Sequence, residues 1–316
     1  MENLLVTCDI VLPLFLIMVI GYCMKRFNLV KDEVVKGCNK LVFKLFLPMS
    51  LVKSIMNADK SNIQGEVPGL MLFIAIAVTA TFAVAMWIVP IFIKDRRRAA
   101  VMVQAIFRSN YAILGIPLTE QLFPQGDGGV AAMVALITVP VFNTLAVVTL
   151  EIFKEGETKI NVKRILIGVL KNPLIEACII GFVLLISGIT LPSFLSSTIN
   201  KLAAVASPLA LFTLGASIML SRIKGNAKEL IVTVLCRLIV VPGLLLTVAY
   251  LIGYRGPAFA SLMIAFGTPV AVSSFPMSVE MGADSELCAQ QVALTTTLSC
   301  FTIFGMVFLF KALGIF

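Results

Sequence analysis

Residues 100–123, AVMVQAIFRSNYAILGIPLTEQLF, and residues 257–280, PAFASLMIAFGTPVAVSSFPMSVE, decide how this chain is read. Each is a mainly apolar run longer than the roughly 20 residues a helix needs to cross a bilayer. Each also contains a Gly-x-Pro: Gly115-Ile116-Pro117 in the first, Gly267-Thr268-Pro269 in the second. Gly loosens a helix and Pro removes a backbone donor, so both runs are expected to break there. Pro favours the first position of a helix, so Pro117 and Pro269 would each open a second half-helix with its N-terminus in the membrane centre. Two such ends would offer free N–H groups, and roughly half a unit of positive charge each, to an anion. For either run alone a plain proline kink is the alternative reading.

The pairing of the two breaks belongs to a wider pattern. Pro13-Leu14 followed by Gly21 recurs 160 residues later as Pro173-Leu174 followed by Gly181, and Pro48 recurs as Pro208 at the same offset. Val89-Pro90 and Gly115-Ile116-Pro117 recur 152 residues later as Val241-Pro242 and Gly267-Thr268-Pro269. One eight-residue deletion reconciles all the pairs. Apolar runs between basic clusters and Gly or Pro breaks place ten spans near residues 8–27, 37–56, 68–93, 100–123, 129–150, 166–189, 199–221, 227–252, 257–280 and 286–310. The second of these carries Lys40, Lys44 and Lys53. The expected fold is therefore all-α and integral to the membrane: a five-helix repeat in 1–153, a short connection in 154–165, and a second five-helix repeat in 166–316. Five is odd, so the second repeat is inverted, a plan recurrent in secondary transporters with the substrate site at the repeat interface.

Composition agrees with this plan. Charged residues make up 13% of the 316, about half the share usual in soluble domains, while 59% are hydrophobic and the mean hydropathy is +1.03. A soluble globule could not cover that much apolar surface. The net charge of +8 comes from clusters between apolar runs, so it calls for no nucleic-acid partner. With Lys94, Arg96, Arg97, Arg98 and Arg108 assigned to the third connection, 19 of the 25 Lys and Arg fall on odd-numbered connections. By the positive-inside rule those connections face the cytoplasm and both termini face outward. The first apolar run follows Glu2 with no Lys or Arg, and the basic cluster comes after it, so it reads as a retained helix and not a signal peptide.

The seven cysteines form no C-x-x-C pair and read as small apolar packing residues. Histidine is absent, so proton coupling, if any, would use carboxylates. No Walker-type loop, catalytic triad or metal-ligand cluster is present, and neither enzymatic activity nor a cofactor is expected. Candidate site residues are the polar ones placed inside spans. Asn110, beside Ser109 and Tyr111, is costly in a bilayer unless paired and is assigned to a cavity. Ser273 and Ser274 after Pro269 suit the same cavity or plain helix packing. Asn143, Gln290, Gln291 and Thr295-Thr296-Thr297 are further candidates. Arg237, ten residues into the eighth span, is about 15 Å along a helix from its cytoplasmic end and needs a partner. That partner is either an anionic substrate or a structural contact such as backbone carbonyls or a carboxylate. Glu176 is the leading candidate for a buried carboxylate, although its place near a span end suits an interfacial role. Asp9, Glu151 and Glu280 are read as solvated.

Several of these motifs together resemble the auxin efflux carrier family of membrane transporters, particularly its short bacterial, malate or malonate permease-like members. They are Pro13-Leu14-Phe15 through Gly21-Tyr22, Cys38-Asn39 before Pro48, Asn110 through Gly115-Ile116-Pro117, Phe212-Thr213-Leu214-Gly215 after Pro208, Arg237 before Pro242, and Pro269 through Glu280. The family often places other residues where Ser273 and Ser274 stand. The resemblance implies that the fourth and ninth helices cross at unwound centres. It also implies a scaffold of helices 1, 2, 6 and 7, often dimeric, and a mobile transport domain of helices 3–5 and 8–10. Family substrates are organic anions. The long central loop of the plant members is missing, since 151–165 is short.

The resulting expectation is an elevator-type secondary transporter of a small mono- or dicarboxylate in the cytoplasmic membrane, with the bilayer, the substrate and a second copy as partners. Asn110, Gly115, Ile116, Pro117 and Leu118 would form one half of the site, and Thr268, Pro269, Ser273 and Ser274 the other, with Asn143 beside them. An anion channel and a membrane lipid or ligand sensor are the alternatives. The charge asymmetry yields a direct test. On a background with native cysteines replaced, a cysteine at Asp95 should resist an impermeant reagent applied to intact cells, while one at the C-terminus should react; the opposite pattern refutes the topology.

Overall fold

In an apolar medium a backbone amide has no water to bond, so an apolar run closes its hydrogen bonds internally as a helix. The computed structural model describes residues 2–56, 67–111, 118, 119, 122, 129–154, 162–189, 191–218 and 224–315. Among them there is no strand, only one isolated bridge. In chain order the helices are α1 (Glu2–Arg26), α2 (Asp32–Leu41), α3 (Leu47–Met56), α4 (Val67–Phe92), α5 (Arg96–Phe107), α6 (Gly129–Ile152), α7 (Val162–Leu170) and α8 (Pro173–Ser187). They continue with α9 (Ser193–Ser217), α10 (Ala227–Leu235), α11 (Val241–Ile252), α12 (Gly256–Gly267), α13 (Ser274–Glu280) and α14 (Ser285–Ala312). Among the described residues, five helices are long and apolar enough to cross a membrane: Val67–Phe92, Val134–Ile152, Ser193–Ser217, Lys224–Ile252 and Ser285–Ala312. Pro173–Ser187 and Gly256–Gly267 are shorter apolar helices. Large apolar side chains such as Trp87, Phe92, Ile186 and Leu251 point outward, while Arg108, Asn110, Arg237 and Gln291 are buried. That inversion suits a lipid surround.

Caps and prolines set the local boundaries. Asp95 accepts from the Arg98 N–H at 3.1 Å to start α5, and Asp284 accepts from the Leu287 N–H at 3.0 Å to start α14. A π-helical segment, Val42–Phe46, joins α2 to α3, and another, Cys236–Val240, joins α10 to α11. Each lies just before a proline, Pro48 or Pro242, whose missing N–H interrupts the ordinary helical ladder.

The most extensive packing joins α1 to α9 and α3 to α8, followed equally by α1 to α14 and α9 to α3. Glycines permit the tightest of these crossings. A Cβ on Gly21 would collide with the Phe212 carbonyl of α9, and one on Gly215 with the Met18 carbonyl of α1. The repeat partner of Gly21, Gly181, abuts the Ile55 side chain.

Connections gather at two ends. Arg96 donates to the Ile152 carbonyl, Arg97 Nε to the Gly282 carbonyl at 3.1 Å, and Arg98 to Asn226 Oδ1 at 2.7 Å and Glu229 at 2.9 Å. The segments near 95, 153, 226 and 283 therefore meet. At the other end the Gly256 N–H donates to the Ile315 carbonyl at 2.9 Å.

Close packing at Gly21 and open space at Gly37 predict opposite responses to the same substitution. Gly21→Ala should lower the melting temperature in detergent, since backbone has to move, at a cost of about 1–3 kcal/mol or more. Gly37, with nothing within 4 Å of its would-be Cβ, lies inside α2. Gly37→Ala should be neutral or stabilise by about 0.5–1 kcal/mol. Equal melting temperatures for Gly21→Ala and the unsubstituted protein would refute the crossing.

Candidate functional site

The run from 257 to 280 is broken. Helix α12 ends at Gly267, residues 268–273 are non-helical, and α13 begins at Ser274. The expectation that Pro269 opens the second half-helix is corrected. Thr268 is extended (φ −74°, ψ 155°), and the next backbone groups pair outside any helix. The Pro269 carbonyl accepts from the Asn110 N–H at 2.9 Å, and the Val270 N–H donates to Thr295 Oγ1 at 3.2 Å. The resulting half-helix has only seven residues. In the partner run α5 stops at Phe107, and Arg108 is extended (φ −86°, ψ 121°). Ser109 then forms an antiparallel bridge with Val270. Gly115, Ile116 and Pro117 lie outside the described residues.

Arg237 lies against this crossing. Fully buried, it donates from Nε to the Thr268 carbonyl at 2.8 Å, from Nη2 to Ala265 at 3.3 Å, and from Nη1 to Phe107 at 3.3 Å and Ile106 at 3.5 Å. These carbonyls end α5 and α12, where the helix dipoles are negative. Of the two partners open to it, Arg237 has backbone carbonyls.

A second guanidinium is also buried. Arg108 is 1% exposed. Its Nη2 donates to Asn143 Oδ1 at 2.7 Å and Ser273 Oγ at 2.8 Å, and its Nη1 to Gln104 Oε1 at 3.2 Å, Ser274 Oγ at 3.3 Å and Met277 Sδ at 2.9 Å. Asn143, Ser273 and Ser274 are thus brought together from α6 and the start of α13, with Asn110 two residues from Arg108. Assigning Arg108 to a basic connection is corrected, which leaves 18 of 25 basic residues on that side. The sequence did hold a signal for it: Arg108 lies eight residues into its run, about 12 Å along a helix. The depth argument that singled out Arg237 applies to it too.

Around the crossing several buried polar atoms have no hydrogen-bond partner: Gln104 Nε2, Ser109 Oγ, Asn110 Nδ2, Thr268 Oγ1 and Ser278 Oγ. Leu118 is buried. Of the remaining candidates Thr295 joins the crossing through Val270, while Gln290, Gln291 and Thr297 serve elsewhere. Gln290 accepts from Asn226 at 2.8 Å, Gln291 donates to Thr233 at 2.9 Å, and Thr297 bonds its own helix. Glu176 is exposed in the first turn of α8, which corrects its candidacy as a buried carboxylate. Glu151 is nearly buried beside Gly168 and 3.7 Å from Lys154, which corrects its reading as solvated. Among the described residues no His, Cys, Asp and Glu group is placed to hold a metal ion.

A cavity of about 350 Å³ approaches from the end where the basic connections meet. Its lining includes Lys25, paired with Asp32 at 2.7 Å, Lys36, Asn39 and Glu286, and on α13 Phe275 and Val279; the side chains that bond Arg108 do not line it.

A family profile described as "Membrane transport protein" matches residues 6–307. The uncharacterized transporter MJ1031 of Methanocaldococcus jannaschii is 25% identical over 305 residues, covering 95% of this chain and 97% of that protein. The uncharacterized transporter YfdV of Escherichia coli K12 is 24% identical over 273 residues, covering 80% and 86%. An uncharacterized transporter of Methanothermobacter thermautotrophicus is 22% identical over 298 residues, covering 92% and 94%. With its apolar exterior, its membrane-length helices and a match along almost its whole length, this chain belongs to the membrane transport protein family, that of the auxin efflux carriers, and is a membrane transporter.

Proposed function

We propose that this transporter binds a small organic anion where residues 108–110 meet 268–274 and carries it across the cytoplasmic membrane by alternating access. The observation that carries the reading is the crossing itself. Two helices that stop inside the protein, α5 and α12, are followed by segments that pair by backbone in a buried place, and Ser109, Asn110 and Thr268 keep polar atoms there without partners. Buried polar groups without partners cost about 1–3 kcal/mol each, and a ligand that engages them removes that cost. Non-helical backbone at membrane depth is tolerated where it lines a cavity or lies within protein, as in transporters with broken helices.

The same reading includes ten spans in two inverted repeats, both termini outside, and helices 1, 2, 6 and 7 as a scaffold that pairs with a second copy. The packing of α1 on α9 through Gly21 and Gly215, and of α8 on α3 through Gly181, supports a rigid scaffold, while α1 also packs on α14, the contact along which the mobile part would slide. The remaining helices carry the crossing and would move as an elevator against it. Charge selection does not rest on the end of α13, which is a single short helix of seven residues.

Purified protein should be stabilised thermally by one or more members of a panel of mono- and dicarboxylates, and the hits should be taken up saturably in proteoliposomes. Uptake stimulated by counter-substrate inside distinguishes a carrier from a channel. The corresponding amide should bind at least tenfold more weakly, about 1.4 kcal/mol; equal affinity for acid and amide would exclude an anion site. Asn110→Ala should reduce uptake far more than folded protein, and unchanged uptake at equal expression would remove Asn110 from the site.

A further inference from the structure

The two buried arginines differ in what balances their charge. Arg237 faces the negative ends of two helices and is balanced by their carbonyls. Arg108 meets only neutral side chains: an amide oxygen of Asn143, one of Gln104, the hydroxyls of Ser273 and Ser274, and a thioether. No Asp or Glu among the described residues forms an ion pair with it. A cation buried without a counter-charge is costly, and packing alone would be served better by an apolar side chain of similar size. An ionisable residue at membrane depth is a marker of the substrate path.

Resting on the proposed anion site, we infer that Arg108 is the group that takes the substrate's carboxylate. Asn143 and Ser273 hold its guanidinium in place when no anion is bound. The fork of Nη1 and Nη2 matches the two oxygens of one carboxylate, a fit that a lysine ammonium lacks. Ser273 and Ser274 accept from Arg108 and keep their own O–H groups to donate to the incoming anion. The neighbouring Asn110 Nδ2 is a buried donor with no partner. A cavity lies along α13 at Phe275 and Val279, on the same short helix whose start carries Ser274. The ligand class is thus a monocarboxylate, or one end of a dicarboxylate, held by one arginine.

Acetate, malonate and succinate, each against its amide, serve as probes by calorimetry and thermal shift on the purified protein. Arg108→Gln should lose at least tenfold in affinity for whichever acid the unsubstituted protein binds and should no longer distinguish acid from amide. Arg108→Lys should recover only part of the affinity. Since Arg108→Gln risks misfolding, Asn143→Asp provides a second test. It places a carboxylate where Oδ1 now lies 2.7 Å from Nη2. The variant should melt at the same or a higher temperature and bind the acid at least tenfold more weakly, because the internal carboxylate competes. If Asn143→Asp is folded and binds the acid as the unsubstituted protein does, Arg108 is a structural tie and the inference falls, leaving the anion site intact. If the unsubstituted protein prefers the amides or binds no acid, the anion reading falls and the inference with it.

Discussion

The constraint on which this architecture depends is the need to satisfy backbone carbonyls and amides wherever a helix stops far from water. Two helices stop near each other here, at Phe107 and Gly267, and each leaves carbonyls without intrahelical partners. Arg237 meets both sets with one guanidinium, and the extended segments beyond them pair through Asn110 with Pro269 and Ser109 with Val270. Thr295 supplies the hydroxyl for Val270. Without these partners a continuous helix would be the cheaper conformation in an apolar medium. The crossing exists because its two runs pair with each other and two elements outside it, α14 and the π segment carrying Arg237, complete its hydrogen bonds.

The π segment from 236 to 240 belongs to the same solution. One extra residue in the helix ahead of Pro242 changes the face on which Arg237 emerges, and that face is the crossing. A single sequence position thereby links a proline-induced defect in one helix to the stability of two others. The charge arrangement follows too. Arg237 lies against helix ends, whereas Arg108 lies among neutral side chains from α5, α6 and the start of α13. One buried cation thus closes helix ends, and the other is held by neutral side chains alone.

The contacts away from that point are of two kinds, tight glycine crossings and polar ties between connections. Glycine-mediated contact between α1 and α9 resists separation, while the Arg96, Arg97 and Arg98 cluster ties neighbouring connections at one end through carbonyls, Asn226 and Glu229. Of these contacts only Arg98–Glu229 is an ion pair, and it is partly buried. At the glycine crossing carbonyl oxygens stand where side chains would go.

How much of this was legible beforehand follows from what each signal encodes. Apolar run length and basic clusters report on the solvent around the chain, so the membrane class was readable from composition, while the family was readable only through the resemblance of its motifs. The Gly-Thr-Pro at 267–269 located the break because Gly and Pro act locally, on their own backbone. Where the second half-helix begins is not local: Ser274 and not Pro269 starts it, because the intervening groups have partners in other segments. Arg237 was recognisably in need of a partner from its depth, but only the fold supplied four carbonyls in place of a carboxylate. Arg108 was misplaced for the complementary reason. Its neighbours Arg96, Arg97 and Arg98 lie at a helix start in water, and charge counting grouped it with them. Sequence determined which residues are too polar for their surroundings; tertiary structure alone decided which of them meet, because α5, α6 and α13 come together across more than 160 residues of chain.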